Sequence, residues 1–175
     1  RARLEWTRRR QAMATAMRAF LRSADGNGGA PHAAHPRLFA QHAVRVLRRA
    51  DETGRSVSFV AVSAAQTPGV SATNGDFAET LRTVARLVRA EDMIARLTAS
   101  TLILMLRGVC ETDAERVARR LEGVIAGMRP RSSLGHSGAF AAAVERQAGA
   151  ELERVIAALV ADLRAQRNAA ARTTA

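Results

Sequence analysis

The sequence predicts an α/β (α+β) sandwich in which helices flank a central, mainly antiparallel sheet. Three observations carry this. Short apolar runs rich in Val, Ile, Leu and Phe alternate with longer stretches whose apolar residues recur every three or four positions. One pair of such runs, Met93–Leu97 and Leu102–Leu106, is separated by only Thr98-Ala99-Ser100-Thr101, which is hairpin spacing. The order is helix, helix, strand, helix, hairpin, helix, a candidate strand, helix, and a ferredoxin-like β-α-β-β-α-β core fits the middle of the chain.

Residues 4–22 read as a helix with Trp6, Met13, Met17, Phe20 and Leu21 on one face and Arg8, Arg9 and Arg10 mostly on the other. Such a helix packs on its own domain, or pairs with a second copy as a linker from an upstream domain. Residues 23–36 are rich in Gly, Pro, Ala and His and read as a loop. The main domain then spans 37–168. It opens with a helix carrying Phe39, Ala43, Val46 and Leu47, broken at Asp51 to Gly54. Val57 to Val62 reads as a strand, and residues 64–76 as a loop. Asp76 is expected to cap a helix with Phe77, Leu81, Val84, Ala85 and Val88 on its inner face. After the hairpin, Asp113 is expected to cap a helix built on Ala114, Val117, Ala118, Leu121, Val124, Ile125 and Met128. Arg129 to Gly138 is irregular. A last helix starts near Glu151, and residues 169–175 are expected to fray.

The chain has 175 residues and a net charge of +11, and every basic residue is Arg. That excess reflects either a GC-rich genome or a polyanionic partner. Aromatic residues make up 3% of the chain, with no stacking pattern, so nucleic-acid binding is not expected. No apolar run has the length of a membrane span. Cys110 is the single cysteine, which excludes an internal disulfide and points to a reducing, cytoplasmic location. His32, His35, His42 and His136 are scattered and show no metal-ligand spacing. Arg1 opens straight into a charged helical pattern, so the chain reads as a piece of a longer protein.

The stretch from Arg89 to Arg120 resembles the GGDEF (diguanylate cyclase) family in register as well as in residue type. Arg89-Ala90-Glu91-Asp92 matches the family's Arg-x-x-Asp motif. The next five residues are Met93 to Leu97, with Arg96 at the family's usual Arg position. The signature Gly-Gly-Asp/Glu-Glu-Phe would then fall on Thr98 to Leu102, which reads Thr-Ala-Ser-Thr-Leu. The helix at Ala114 to Leu121 and Ser133-Leu134-Gly135 resemble later family segments. The usual C-terminal ending survives only as Arg167-Asn168.

The resemblance implies a nucleotide-cyclase-like fold. It also implies that cyclase chemistry is lost. The family joins two GTP molecules with divalent metal held by carboxylates. Those acidic positions fall on Ser100 and Thr101, and the family's Asp-x-Asp falls on Ser63-Ala64-Ala65. Thr98 and Ala99 replace the glycines that let a nucleotide approach closely. No catalytic metal or cofactor is therefore expected. In the family the Arg-x-x-Asp site binds an intercalated pair of cyclic di-GMP molecules, often completed by an Arg from the following helix of a second subunit. In that frame the ligand-binding residues here are Arg89, Asp92 and Arg120, with Arg116 one turn earlier and Arg86 a neighbour. Guanidinium forks suit phosphates and guanine edges, and a carboxylate accepts from guanine N–H groups.

The expected function is a cyclic di-GMP receptor in a bacterial signalling protein, recruiting a protein partner or forming a homodimer when loaded. Degenerate relatives act in polarity, motility and cell-cycle proteolysis. The alternative is a structural domain that dimerises without nucleotide, in which Arg89 and Asp92 form an ordinary surface ion pair.

Overall fold

A computed structural model describes residues 34–64, 74–98, 100–128 and 139–173. The predicted helix at 4–22, the loop before residue 34, and Ser133-Leu134-Gly135 lie outside the described residues.

Four helices and four strands succeed one another as α1 (Pro36–Thr53), β1 (Val57–Ala64), α2 (Asn74–Ala85), β2 (Met93–Arg96), β3 (Thr101–Arg107), α3 (Glu111–Gly127), β4 (Ala139–Glu145) and α4 (Leu152–Thr173). The sheet runs β2-β3-β1-β4, and every neighbouring pair is antiparallel. That is the split β-α-β arrangement the sequence predicts.

Alternation along β1 explains the layers. Val57, Phe59 and Ala61 face α1 and α4, in a core with Phe39, Leu47, Met105 and Leu159. Val60 and Val62 face α2 and α3, in a second core with Leu81, Leu104, Leu121 and Ile125. A strand covered on both faces needs no polar side, and β1 is buried almost throughout.

Several boundaries differ from the sequence reading. Pro36 is the first residue of α1, where its missing N–H costs nothing, and His35 caps the helix through Nδ1, 3.3 Å from the Arg37 N–H. Asp51 does not break α1. The helix runs on to Thr53, and Gly54 closes it at φ 63°. Asp76 lies inside the first turn of α2, which starts at Asn74. Cys110, not Asp113, is the N-cap position of α3. The carboxylate of Glu145, at the end of β4, accepts the Glu111 N–H at 2.8 Å and supplies the cap from across the fold. Residues 169–173 continue α4 rather than fraying.

Candidate functional site

The motif Arg89 to Asp92 occupies the turn between α2 and β2. α2 ends at Ala85, so the motif lies beyond the helix and not in its last turn. Hydrogen bonds from Arg86 N–H to Thr83 and from Leu87 N–H to Val84 unwind the helix end. Asp92 organises the turn. Its Oδ2 accepts the backbone N–H of Arg89 at 3.2 Å, and its Oδ1 accepts the backbone N–H of Arg107 at 3.3 Å. The Asp92 N–H in turn donates to the Arg89 carbonyl at 3.1 Å. One carboxylate thus ties the turn to the end of β3.

The guanidinium of Arg89 is exposed and makes no ion pair among the described residues. The Arg89–Asp92 contact runs from backbone to side chain, so the two residues are not the surface ion pair of the alternative sequence reading. Arg107 is a further member of the turn that sequence reasoning does not find. Nothing in its local pattern signals that its N–H meets a carboxylate fifteen residues earlier.

The α3 arginines stand elsewhere. β3 ends at Arg107, the chain turns at Gly108 (φ 67°), and α3 starts at the same end of the sheet as Asp92. α3 then passes over β1 and β4, whereas Arg89 and Asp92 lie at the β2 edge. Arg116 is held by Asp113 at 2.9 Å in an exposed ion pair. Arg120 is exposed and without an ion pair among the described residues. Arg89 and Asp92 are therefore brought together in one hydrogen-bonded turn. No described contact joins Arg116 or Arg120 to it.

The hairpin at the other end of β2 has a different chemistry. Thr101 Oγ1 donates to Ser63 Oγ at 3.0 Å, and both residues are buried. Ser63 Oγ lies 3.4 Å from the Ser100 carbonyl, which also accepts the Ala64 N–H at 3.2 Å. These hydroxyls occupy the positions that the family resemblance assigns to acids. Neutral hydroxyls satisfying one another supply no anionic oxygen for a hard cation. The described residues hold no group of three or more His, Cys, Asp or Glu side chains able to bind a metal. Arg96 packs 4.0 Å from the Phe77 ring centroid, and its Nε donates to the Thr98 carbonyl at 3.1 Å. Burial lowers the pKa of this guanidinium.

No protein-family model and no curated protein matches the chain. Solved structures do. The diguanylate cyclase SiaD of Pseudomonas aeruginosa, in complex with its activator SiaC, superposes with a TM-score of 0.67 at 16% identity, over 95% of this chain and 67% of that one. The GGDEF domain of DgcB from Caulobacter crescentus, in complex with c-di-GMP, gives 0.64 at 21% identity, over 82% and 88%. The coiled coil and GGDEF domain of DgcB, also with c-di-GMP, gives 0.65 at 16% identity, over 96% and 94%. The fold is that of GGDEF diguanylate cyclase domains. No helix among the described residues is long and apolar enough to cross a membrane.

Proposed function

We propose that this domain is a cyclic di-GMP receptor that has lost cyclase activity. The observation that carries the reading is the contrast between the two ends of β2. At one end Asp92 fixes a turn on which Arg89 is exposed and has no ion pair among the described residues. At the other, Ser63, Ser100 and Thr101 stand where metal-holding acids are needed. A domain with this pattern binds the family's product without making it. The c-di-GMP complexes of the DgcB neighbour are in keeping with that ligand.

Arg89 supplies a planar fork to a phosphate or to a guanine edge. Each Asp92 oxygen keeps lone-pair capacity beyond its one backbone partner, so the carboxylate still accepts from guanine N–H groups. Arg120, and Arg116 after release from Asp113, complete the site from a second copy, because α3 covers the other half of the sheet. Ligand binding then brings two copies together and creates the surface that a partner protein reads. The site lies in a soluble, cytoplasmic module of a larger signalling protein.

Isothermal titration with cyclic di-GMP tests this on wild type, Arg89→Ala and Arg120→Ala. Loss of one charge-assisted contact costs about 1.5–3 kcal/mol, roughly a tenfold or greater loss of affinity. Unchanged affinity in Arg89→Ala rejects the assignment.

A second reading has one observation in its favour. Asp92 is already engaged by two backbone N–H groups, so the motif is explained by turn structure without any ligand. A structural domain of this kind dimerises equally with and without nucleotide.

A further inference from the structure

We propose that the outer groove between α1 and the start of α4 is a docking site for an amphipathic helix of another protein, with an acidic stretch about two turns long. The groove holds about 770 Å³ and is lined on α1 by Val44, Arg45, Arg48 and Arg49 and on α4 by Leu152. Two exposed large hydrophobic residues stand out among the described residues, Leu38 at 60% and Val44 at 51% exposure, and both belong to α1. Val44 lies in the groove. Leu38 lies on α1 at i−7 from Arg45, on the same side of the helix.

Three features define the occupant. Arg45, Arg48 and Arg49 are exposed and make no ion pair among the described residues. Ala40, Val44 and Leu152 give an apolar floor between charged rims, the pattern that accepts one face of a helix. Glu52 and Glu153 line the α1 C-terminal end of the groove, so its charge changes sign along its length. That polarity selects a helix whose acidic turns lie over Arg45 to Arg49 and whose next residue is basic.

Charge also excludes the nearest alternatives. Residues 1–33 carry seven Arg against Glu5 and Asp25 and are repelled by the same rim. A second copy carries net charge +11, so its approach to this basic rim is repelled overall. The acidic helices of this chain are mixed, as on α3, where Asp113 and Glu115 are paired with Arg116 and Arg119. The partner is therefore a different, acidic protein. This deepens the recruitment part of the proposed function, but it stands on shape and charge, not on the nucleotide site.

The test uses a synthetic amphipathic peptide with Leu at i, i+3, i+4 and i+7, Glu over two turns and a terminal Arg. Fluorescence anisotropy on the full chain reads its affinity with and without saturating cyclic di-GMP. Binding is expected, weakened at least tenfold in Arg45→Glu/Arg48→Glu and in Val44→Asp. All three positions are exposed, and circular dichroism checks that the variants fold. A charge-reversed peptide, with Lys for Glu, is expected to bind Arg45→Glu/Arg48→Glu at least tenfold better than it binds wild type. Peptide binding that ignores these substitutions overturns the proposal. So does retention on phosphatidylserine vesicles or duplex DNA when the acidic peptide is not bound. Peptide binding without any response to cyclic di-GMP keeps the groove and leaves the receptor reading to stand or fall by its own titration.

Discussion

Asp92 is the residue on which the candidate site depends, and its role is more structural than its motif suggests. Its two oxygens hold the Arg89 and Arg107 amides, so it sets the turn before any ligand arrives. Asp92→Ala should cost about 1 kcal/mol of stability by chemical denaturation, because two amides lose a charged acceptor near solvent. It should also weaken cyclic di-GMP at least as much as Arg89→Ala does, since both the acceptor and the turn are lost. A second residue-scale device is the pairing of Asp51 with Arg146. The Arg146 side chain is 6% exposed, and its two terminal nitrogens bind the two Asp51 oxygens, while Nε donates to the Ala150 carbonyl at 3.0 Å. The hydrogen bonds from Arg146 lower the pKa of Asp51 from its ordinary 3.8, against the opposing effect of desolvation. A carboxyl whose pKa is depressed on folding adds stability above its unfolded pKa and loses it as pH falls through the folded value. The Tm difference between wild type and Arg146→Ala is therefore expected to be full at pH 7 and to shrink only below about pH 4. A difference that is constant down to pH 2 contradicts this.

Among the elements, those whose apolar residues repeat strongly are legible in the sequence, and those fixed from afar are not. The helices around Phe39, Leu81, Leu121 and Leu159 and the hairpin strands come directly from periodicity. The end of α1 does not, because Asp51 and Glu52 resemble a loop until Arg146, ninety-five residues away in sequence, is seen to hold Asp51. The cap of α3 is hidden for the same reason, since Glu145 supplies it across the fold. The extension of α4 to Thr173 is legible in principle, since Ala169, Ala170 and Ala171 favour helix strongly. The resemblance places a late strand at Ser133-Leu134-Gly135, whereas β4 spans Ala139–Glu145, which periodicity leaves unassigned because Ala-Phe-Ala-Ala-Ala-Val-Glu has little β propensity. Its alanines are explained by packing. Ala139 and Ala141 are buried in the core on the α3 side, and Ala142 in the core on the α4 side, between Phe140 and Val144. Ala142→Leu is accordingly predicted to destabilise by about 1–3 kcal/mol in urea melts, an overpacking cost that a surface strand does not show. In the site itself, the residue types at Arg89 and Asp92 are readable, but the backbone partners of Asp92 are not, because Arg107 reaches it through the sheet register.

At the scale of the whole molecule, the two ends of the short strand β2 differ in chemistry, with the Asp92 turn at one and buried hydroxyls at the other. At the β2–β3 hairpin the Ser63 and Thr101 hydroxyls are hydrogen-bonded to each other, at positions the family resemblance assigns to acids. With GTP and Mg²⁺, the chain is predicted to form no cyclic dinucleotide above a no-enzyme control, and turnover detected by liquid chromatography would contradict that. The other end presents Arg89 on a turn that Asp92 ties to β3, with α3 over β1 and β4. Cyclic di-GMP binding at this end, the proposed function, is tested most directly by a calorimetric titration of the wild-type chain. Saturable binding with two ligand molecules per site is expected, weakened at least tenfold in Arg89→Ala. No heat of binding at tens of micromolar protein and ligand would contradict it.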